Sequence, residues 1–320
     1  MAMRLPNDAV VGSVAAVGGV GGVGAPSSES DPRVLHRRRG GPTALRILLG
    51  SQLRRLREDK RISTEDAAWV IRGSHSKISR MELGRVGFKE RDVADLLTLY
   101  GVTDPADRDG LLELAREANS PGWWHHYGDV LPSWFETYLG LEEAAALVRT
   151  YDVHCVPELL QSEGYAGAVL RLQHPDASEA DLRRRVRVRM TRQERFARPG
   201  APVLWALIDE AVLRRPVGGR DVMRDQLRHL VAMADVPTVT VQIVPFAARR
   251  PVLASPPFTV LRFAEADLPD VVYLEHLTTA LYLDRGPDVE AYLGRVEQLA
   301  DVALPPDLTV RFLLELLHAV

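Results

Sequence analysis

The chain of 320 residues has one cysteine, Cys155, which excludes an internal disulfide framework and makes a reducing compartment the expected setting. It lacks a phosphate-cradling glycine loop, a GxSxG elbow and a CxxC pair, so the common nucleotide, acyl-transfer and thiol-redox chemistries have no motif here. It also lacks a clean apolar run of membrane-spanning length. The stretch AVVGSVAAVGGVGGVGAPSS is interrupted by glycine throughout, and only Arg4 stands before it as a basic residue, which argues against a span or a signal peptide. A cytoplasmic protein without catalytic activity, metal or cofactor is the resulting expectation.

A hydrophobic content of 46% and a charged content of 26% over this length allow real cores, and two domains are expected. Residues 1–43 read as a disordered tail, because a glycine-rich run has no core to join and a high cost of ordering. The net charge of −3 is unevenly spread. From Arg33 to Arg61 the chain carries ten basic residues against only Glu58 and Asp59, a local footprint suited to a polyanion. Within it, the HRRRG arm over residues 36–40 suits a minor groove, or else a solvated tail.

Residues 44–118 show a rapid succession of short helical patterns. Leu49, Leu53 and Leu56 recur at helical spacing, Ser63 caps a second helix opening on Thr64, Glu65 and Asp66, and Ala67 and Ala68 permit close packing. Gly73 is the expected source of backbone freedom in the link IRGS. The stretch SHSKISRMELG then predicts a short helix over 74–82, capped by Ser74 and stopped at Gly84. At about 100° per residue, His75, Ser76, Ser79 and Arg80 share one face, and Ile78 and Met81 share the other. Two short helices in this relation form the helix-turn-helix pattern. A further helix over 90–100 and one beginning near Pro105 complete five.

Composition changes between residues 119 and 132, where a domain boundary is expected. Beyond it, helices are predicted over 134–149, 163–171, 178–197, 219–234, 287–302 and 306–318, mixed with the β-branched runs YDVHCV, PVLWALI, TVTVQIV, FTVLRF, VVYLE and ALYL. The last three suggest an antiparallel meander. The fold class is therefore mainly α with an α+β second domain over 119–320. His125, His126, Asp129, His154, Cys155 and Glu194 are the residues that an enzyme or metal site would use. The adjacent histidines lack the i, i+4 spacing of a helical zinc pair, and Cys155 reads as a small buried residue. Trp123, Trp124 and Trp134 suit a pocket, an interface or a seal between domains. The arginine-rich RVRVRMTRQERF suits intramolecular ion pairs or an interface, with plain solvation as the alternative.

Three segments, LRRLRED, STEDAA and SKISRMELGR, lie within residues 45–101 and resemble the Cro and repressor-like (XRE) class of regulators. The second half is similar to a WhiJ-like or antitoxin-like domain that follows this module in many actinobacterial regulators, through GWWHHYGDVLPSWFETYLGLEEAA, VPELLQSEGYA, RVRVRMTRQERF, LIDEAVLRRPVGG, MRDQLRHL and VTVQIVPF. The resemblance implies a Cro/repressor-like bundle and a mixed α+β regulatory domain. It further implies transcriptional regulation through double-stranded DNA, beside a small partner protein encoded nearby. His75, Ser76, Ser79 and Arg80 stand where members of the class read base edges, Lys77 where a phosphate contact is made, and Arg57 with Glu82 where a pair ties the first helix to the recognition helix. Thr64 replaces a frequent glutamine, and the turn glycine is Gly73 rather than one residue earlier.

The chemistry agrees with these assignments. Arg80 suits paired hydrogen bonds to guanine, the free amides at the helix starts near Ser63 and Ser74 suit phosphates, Thr64 counts among the DNA-binding residues, and Arg85 and Lys89 follow the recognition helix where a backbone would pass. A repressor acting as a homodimer is the expected function. The alternative is an antitoxin-like interaction module that neutralises a small partner protein, with DNA binding secondary.

Overall fold

The computed structural model describes residues 42–198, 200–247, 255–264 and 268–319. The HRRRG arm and the proposed tail up to residue 41 lie outside the described residues. The expected tail boundary moves by two residues, because α1 (Pro42–Asp59) already includes Pro42 and Thr43. A proline costs a helix no hydrogen bond in its first turn, and Thr43 is buried.

Four more helices complete the N-terminal bundle: α2 (Thr64–Val70), α3 (His75–Glu82), α4 (Glu90–Leu99) and α5 (Pro105–Ala118). Their core gathers Leu49 and Leu53 of α1, Ala67 and Ala68 of α2, Ile78 and Met81 of α3, Leu96 and Leu97 of α4, and Ala115 of α5. Polar side chains cap α2, α3 and α5, whereas α4 starts after Lys89 without a side-chain cap. Ser63 accepts from the amide of Asp66, Ser74 from Lys77, and Asp104 from Ala106 and Asp107.

The helix ends obey one rule. After each of α1 to α4 the second residue past the last helical one takes a left-handed conformation, with φ of 54° at Arg61, 51° at Arg72, 65° at Gly84 and 73° at Gly101. Each donates its amide to the carbonyl three residues back, and the next amide reaches five residues back, for example Gly73 to Ala68 at 2.8 Å and Arg85 to Arg80 at 2.8 Å. This is the Schellman closure. The turn of the helix-turn-helix therefore places its left-handed residue at Arg72, and Gly73 does not have the special φ expected of it. The reason is the position of the helix end: α2 caps at Ile71, so the left-handed slot falls one residue before the glycine. Arg72→Gly and Arg61→Gly are each expected to stabilise the protein by about 0.5–1 kcal/mol, the left-handed penalty less the extra freedom of the unfolded chain. Urea denaturation measures this, and a lowered midpoint would contradict the closure at that position.

After a 3-10 turn over Trp123–Tyr127, the second half forms α6 (Ser133–Ala144), β1 (Leu147–Asp152), α7 (Glu163–Gln173), α8 (Glu179–Phe196), β2 (Val203–Asp209), α9 (Glu210–Arg214) and α10 (Arg220–Ala234). It continues through β3 (Val239–Val244), β4 (Phe258–Arg262), β5 (Val271–Glu275), β6 (Ala280–Leu283), α11 (Gly286–Val302) and α12 (Pro306–Ala319). The strands make one sheet in the order β3-β2-β1-β4-β5-β6. β1, β2 and β3 are mutually parallel, and β4 to β6 form the antiparallel meander, which joins β1 antiparallel. Helical crossovers between β1, β2 and β3 make the parallel half possible. Alternation along the strands sends Val148, Leu204, Ile243 and Leu261 to one face, under α6, α7, α10 and α12. Tyr151, Leu207, Val260 and Val272 go to the other, against Val289, Val296 and Leu299 of α11.

Two boundaries differ from the sequence reading by more than two residues. The helix predicted to 149 stops at Ala144, and the strand predicted over YDVHCV is instead LVRTYD. Asp152 ends it, since its carboxylate accepts from the amides of His154 and Cys155 at 2.8 and 3.3 Å and forces a turn.

The described residues belong to one compact unit, and α1 is the element that joins its two cores. Thr43 packs against Gly140 of α6, where any side chain would overlap it, and Ile47 belongs to the core beneath the sheet.

Candidate nucleic-acid interface

Helix α3 sits on the bundle by Ile78 and Met81, each 1% exposed. His75, Ser76, Ser79 and Arg80 are exposed on its outer face, and Ser74, at its N-cap, is exposed too. Arg80 rests its Nε 3.3 Å from the carbonyl of Ser76, leaving the guanidinium at the surface with its remaining donors unused among the described residues. The four side chains provide donors and acceptors on a rigid rod whose cap and C-terminal closure are both made, the arrangement needed to read base edges in a major groove.

The base of this rod is clamped. Arg57 donates from Nε and Nη2 to the two carboxylate oxygens of Glu82 at 2.6 and 3.0 Å, and from Nη1 to the carbonyl of Ile62 at 2.9 Å. The hydrogen bond to Glu82 raises the pKa of Arg57 above its ordinary value, outweighing the opposing effect of burial. The phenol of Tyr100, pushed up by burial and by the Glu82 carboxylate, lies nearby with its hydroxyl unpartnered among the described residues.

The other expected contacts are placed less simply. The ammonium of Lys77 is 2.5 Å from the carboxylate of Asp92 on α4, so it anchors α3 from within rather than standing free for phosphate. Arg85 is engaged too: its guanidinium donates to Asp284, just past β6, at 2.7 Å. Lys89 is exposed and precedes α4, whereas Thr64 is half-buried and donates its hydroxyl to Glu65 at 3.1 Å. The sequence reading missed Trp69, which is 82% exposed on α2 and lies three residues before the left-handed Arg72. Its position after the buried Ala67–Ala68 pair was the available signal, since the next residue along the helix turns outward.

The residues weighed for catalysis are scattered. His125 lies 3.7 Å from Glu136, Asp129 pairs with Arg184 at 2.6 Å, and His154 and Glu194 are exposed. Burial pushes the Cys155 thiol far above its ordinary pKa, so the reactive thiolate is disfavoured. Among the described residues no three His, Cys, Asp or Glu side chains group as metal ligands, and no helix is long and apolar enough to cross a membrane.

The fold and this surface define a helix-turn-helix protein with a mixed-sheet second domain, and residues 48–111 match a helix-turn-helix domain, a DNA-binding module. The chain belongs to the family of a domain of unknown function, DUF5753, which matches residues 135–315. No curated protein and no solved structure matches it.

Proposed function

We propose that this chain is a sequence-specific transcriptional regulator of the Cro/repressor-like class, acting as a repressor from the cytoplasm, with a WhiJ-like second domain that carries control by a small protein partner or ligand. The observation that supports the reading best is the outer face of α3, where His75, Ser76, Ser79 and Arg80 are exposed on a helix fixed at its base by Arg57 and Glu82. Lys89 and the first-turn amides near Thr64 and Ser74 would hold phosphates, and Arg85 would do so after leaving Asp284. One such module covers a half-site, so a homodimer would reach two half-sites about 34–36 Å apart. The reading assigns no catalytic step.

Fluorescence anisotropy with the chain and its own upstream DNA, over a salt series and beside a scrambled duplex, tests it. Specific binding should weaken steeply with salt, and Arg80→Ala should lose about 1–3 kcal/mol of the preference for the upstream duplex. Equal, weak binding to both duplexes would remove α3 as a reading surface.

A further inference from the structure

We propose that the cleft between α6 and α8 binds a small, flat, largely apolar molecule carrying a single anionic group. The cleft measures about 380 Å³, within the range of small-molecule sites and near its lower end. Trp123, Leu139, Phe196 and Pro202 supply apolar walls, and Arg195 and Arg198 supply cationic edges. Trp123 is held edge-on by Trp124, with ring centroids 5.9 Å apart, and the Arg195 guanidinium lies 5.5 Å above its ring. That makes a stiff aromatic wall next to a cation, suited to stacking a planar body.

Glu142 and Glu143 also line the cleft, but both are engaged: Glu142 takes a two-pronged bond from Arg192 at 2.9 and 2.7 Å, and Glu143 pairs with Arg195. What remains unused is on the donor side. The exposed guanidinium of Arg198 makes no ion pair or hydrogen bond among the described residues, whereas the Nε of Arg195 is closed off by protein atoms and offers the cleft nothing. One free cation at the edge of an apolar cleft, beside a second already paired, suits an acceptor with a single negative charge. The two carboxylates at the base count against a polyanion such as a nucleoside triphosphate, because each added negative charge would face them.

The cleft is well placed to matter. Leu139, Glu142 and Glu143 lie on α6, whose Gly140 is packed against Thr43 of α1, so an occupant that shifts α6 acts on the first helix of the helix-turn-helix bundle. This regulatory meaning rests on the proposed function, whereas the binding itself does not.

The test uses two probes with the same ring system, 8-anilinonaphthalene-1-sulfonate and its uncharged counterpart N-phenyl-1-naphthylamine, titrated by fluorescence into the full chain. The sulfonate should saturate one site per chain and bind at least about tenfold more tightly than the amine. Arg198→Ala should abolish that preference without altering amine affinity or the near-ultraviolet circular dichroism, and Arg198→Lys should restore part of it. Absence of saturable binding, equal affinity for the two probes, or sulfonate affinity unchanged in Arg198→Ala would each overturn the site. DNA takes no part in these titrations, so their failure leaves the Arg80 result standing, and a failure of Arg80→Ala leaves the cleft standing.

Discussion

Arg192→Ala is expected to destabilise the protein by about 3–5 kcal/mol, because it strands a buried charge. Arg192 is 4% exposed and Glu142 is 3% exposed, so either one without its partner is a polar group cut off from water with a bond unmade. The guanidinium bonds Glu142 through two nitrogens, reaches Glu158 through the third, and lies 5.3 and 5.6 Å from the rings of Phe135 and Tyr138. Its neighbour Arg189 pairs with Glu158 at 2.6 Å and with Gln161 at 2.8 Å, so two arginines of α8 stitch that helix to α6 and to the segment after β1. Replacing both partners by apolar residues, as in Arg192→Met with Glu142→Leu, should recover most of the loss, since the cost lies in the unpaired charge and not in the missing attraction. Urea titration of the three proteins distinguishes the cases: a single variant within about 0.5 kcal/mol of the parent would show that water reaches the pair.

The same network sets an acid limb. Burial alone would raise the Glu158 carboxyl, but Arg189 and Arg192 reverse that and hold it down at about 2. A carboxyl depressed in the folded state gives stability that is fully present above its unfolded pKa and lost as pH falls through the folded value. The window is therefore from about 4.5 to 2, and in Arg192→Ala, where the folded value rises towards the unfolded one, the part of the decline owed to Glu158 should be smaller and finish at higher pH.

How much of this was legible in the sequence depended on distance along the chain. The outer face of α3 followed from an angle of about 100° per residue, and the burial of Ile78 and Met81 came with it. The ion pairs did not follow, because their partners lie elsewhere: Asp92 is 15 residues from Lys77, and Asp284 is 199 residues from Arg85. A motif names the cation and is silent about the carboxylate that occupies it. In the same way RVRVRMTRQERF carries arginine on every side, and only the carboxylates of α6 and of the segment after β1 select Arg189 and Arg192 to face inward. Five of the six strands were visible as local β-branched runs. The start of β1 was hidden because AAALV continues the apolar spacing of α6 with good helix formers, and only the extended backbone at Ala145 breaks it. The parallel half of the sheet is a property of crossovers rather than of any strand, so TVTVQIV read alone could not announce a parallel partner.

Glu82→Ala should damage both stability and DNA recognition, which Arg80→Ala should not. Glu82 is the last residue of α3, its side chain is 7% exposed, and the Arg57 side chain it meets is 11% exposed. The same guanidinium also holds the carbonyl of Ile62, two residues before α2 begins, so one side chain fixes the end of α1, the link to α2 and the final turn of α3. Removing the carboxylate leaves Arg57 largely dehydrated, with only the looser contact to Glu58 at 3.5 Å as a remaining ion pair among the described residues. The expected loss is about 3 kcal/mol, at the low end for a buried pair because Arg57 keeps its bond to Ile62, its contact with Glu58 and some contact with water. Glu82→Gln preserves shape and one acceptor and should lose about 1–2 kcal/mol, the share owed to charge in the hydrogen bond. In the DNA titration Glu82→Ala should bind all duplexes less well at temperatures where the fold survives, because the α3 rod is no longer held at its base. Arg80→Ala should keep the parent's urea midpoint and lose discrimination alone. Hydrogen exchange across residues 75–82 resolves the two: faster exchange confined to α3 in Glu82→Ala supports a clamp on the reading helix, whereas exchange that rises equally over all five helices would mean that the pair supports the bundle as a whole.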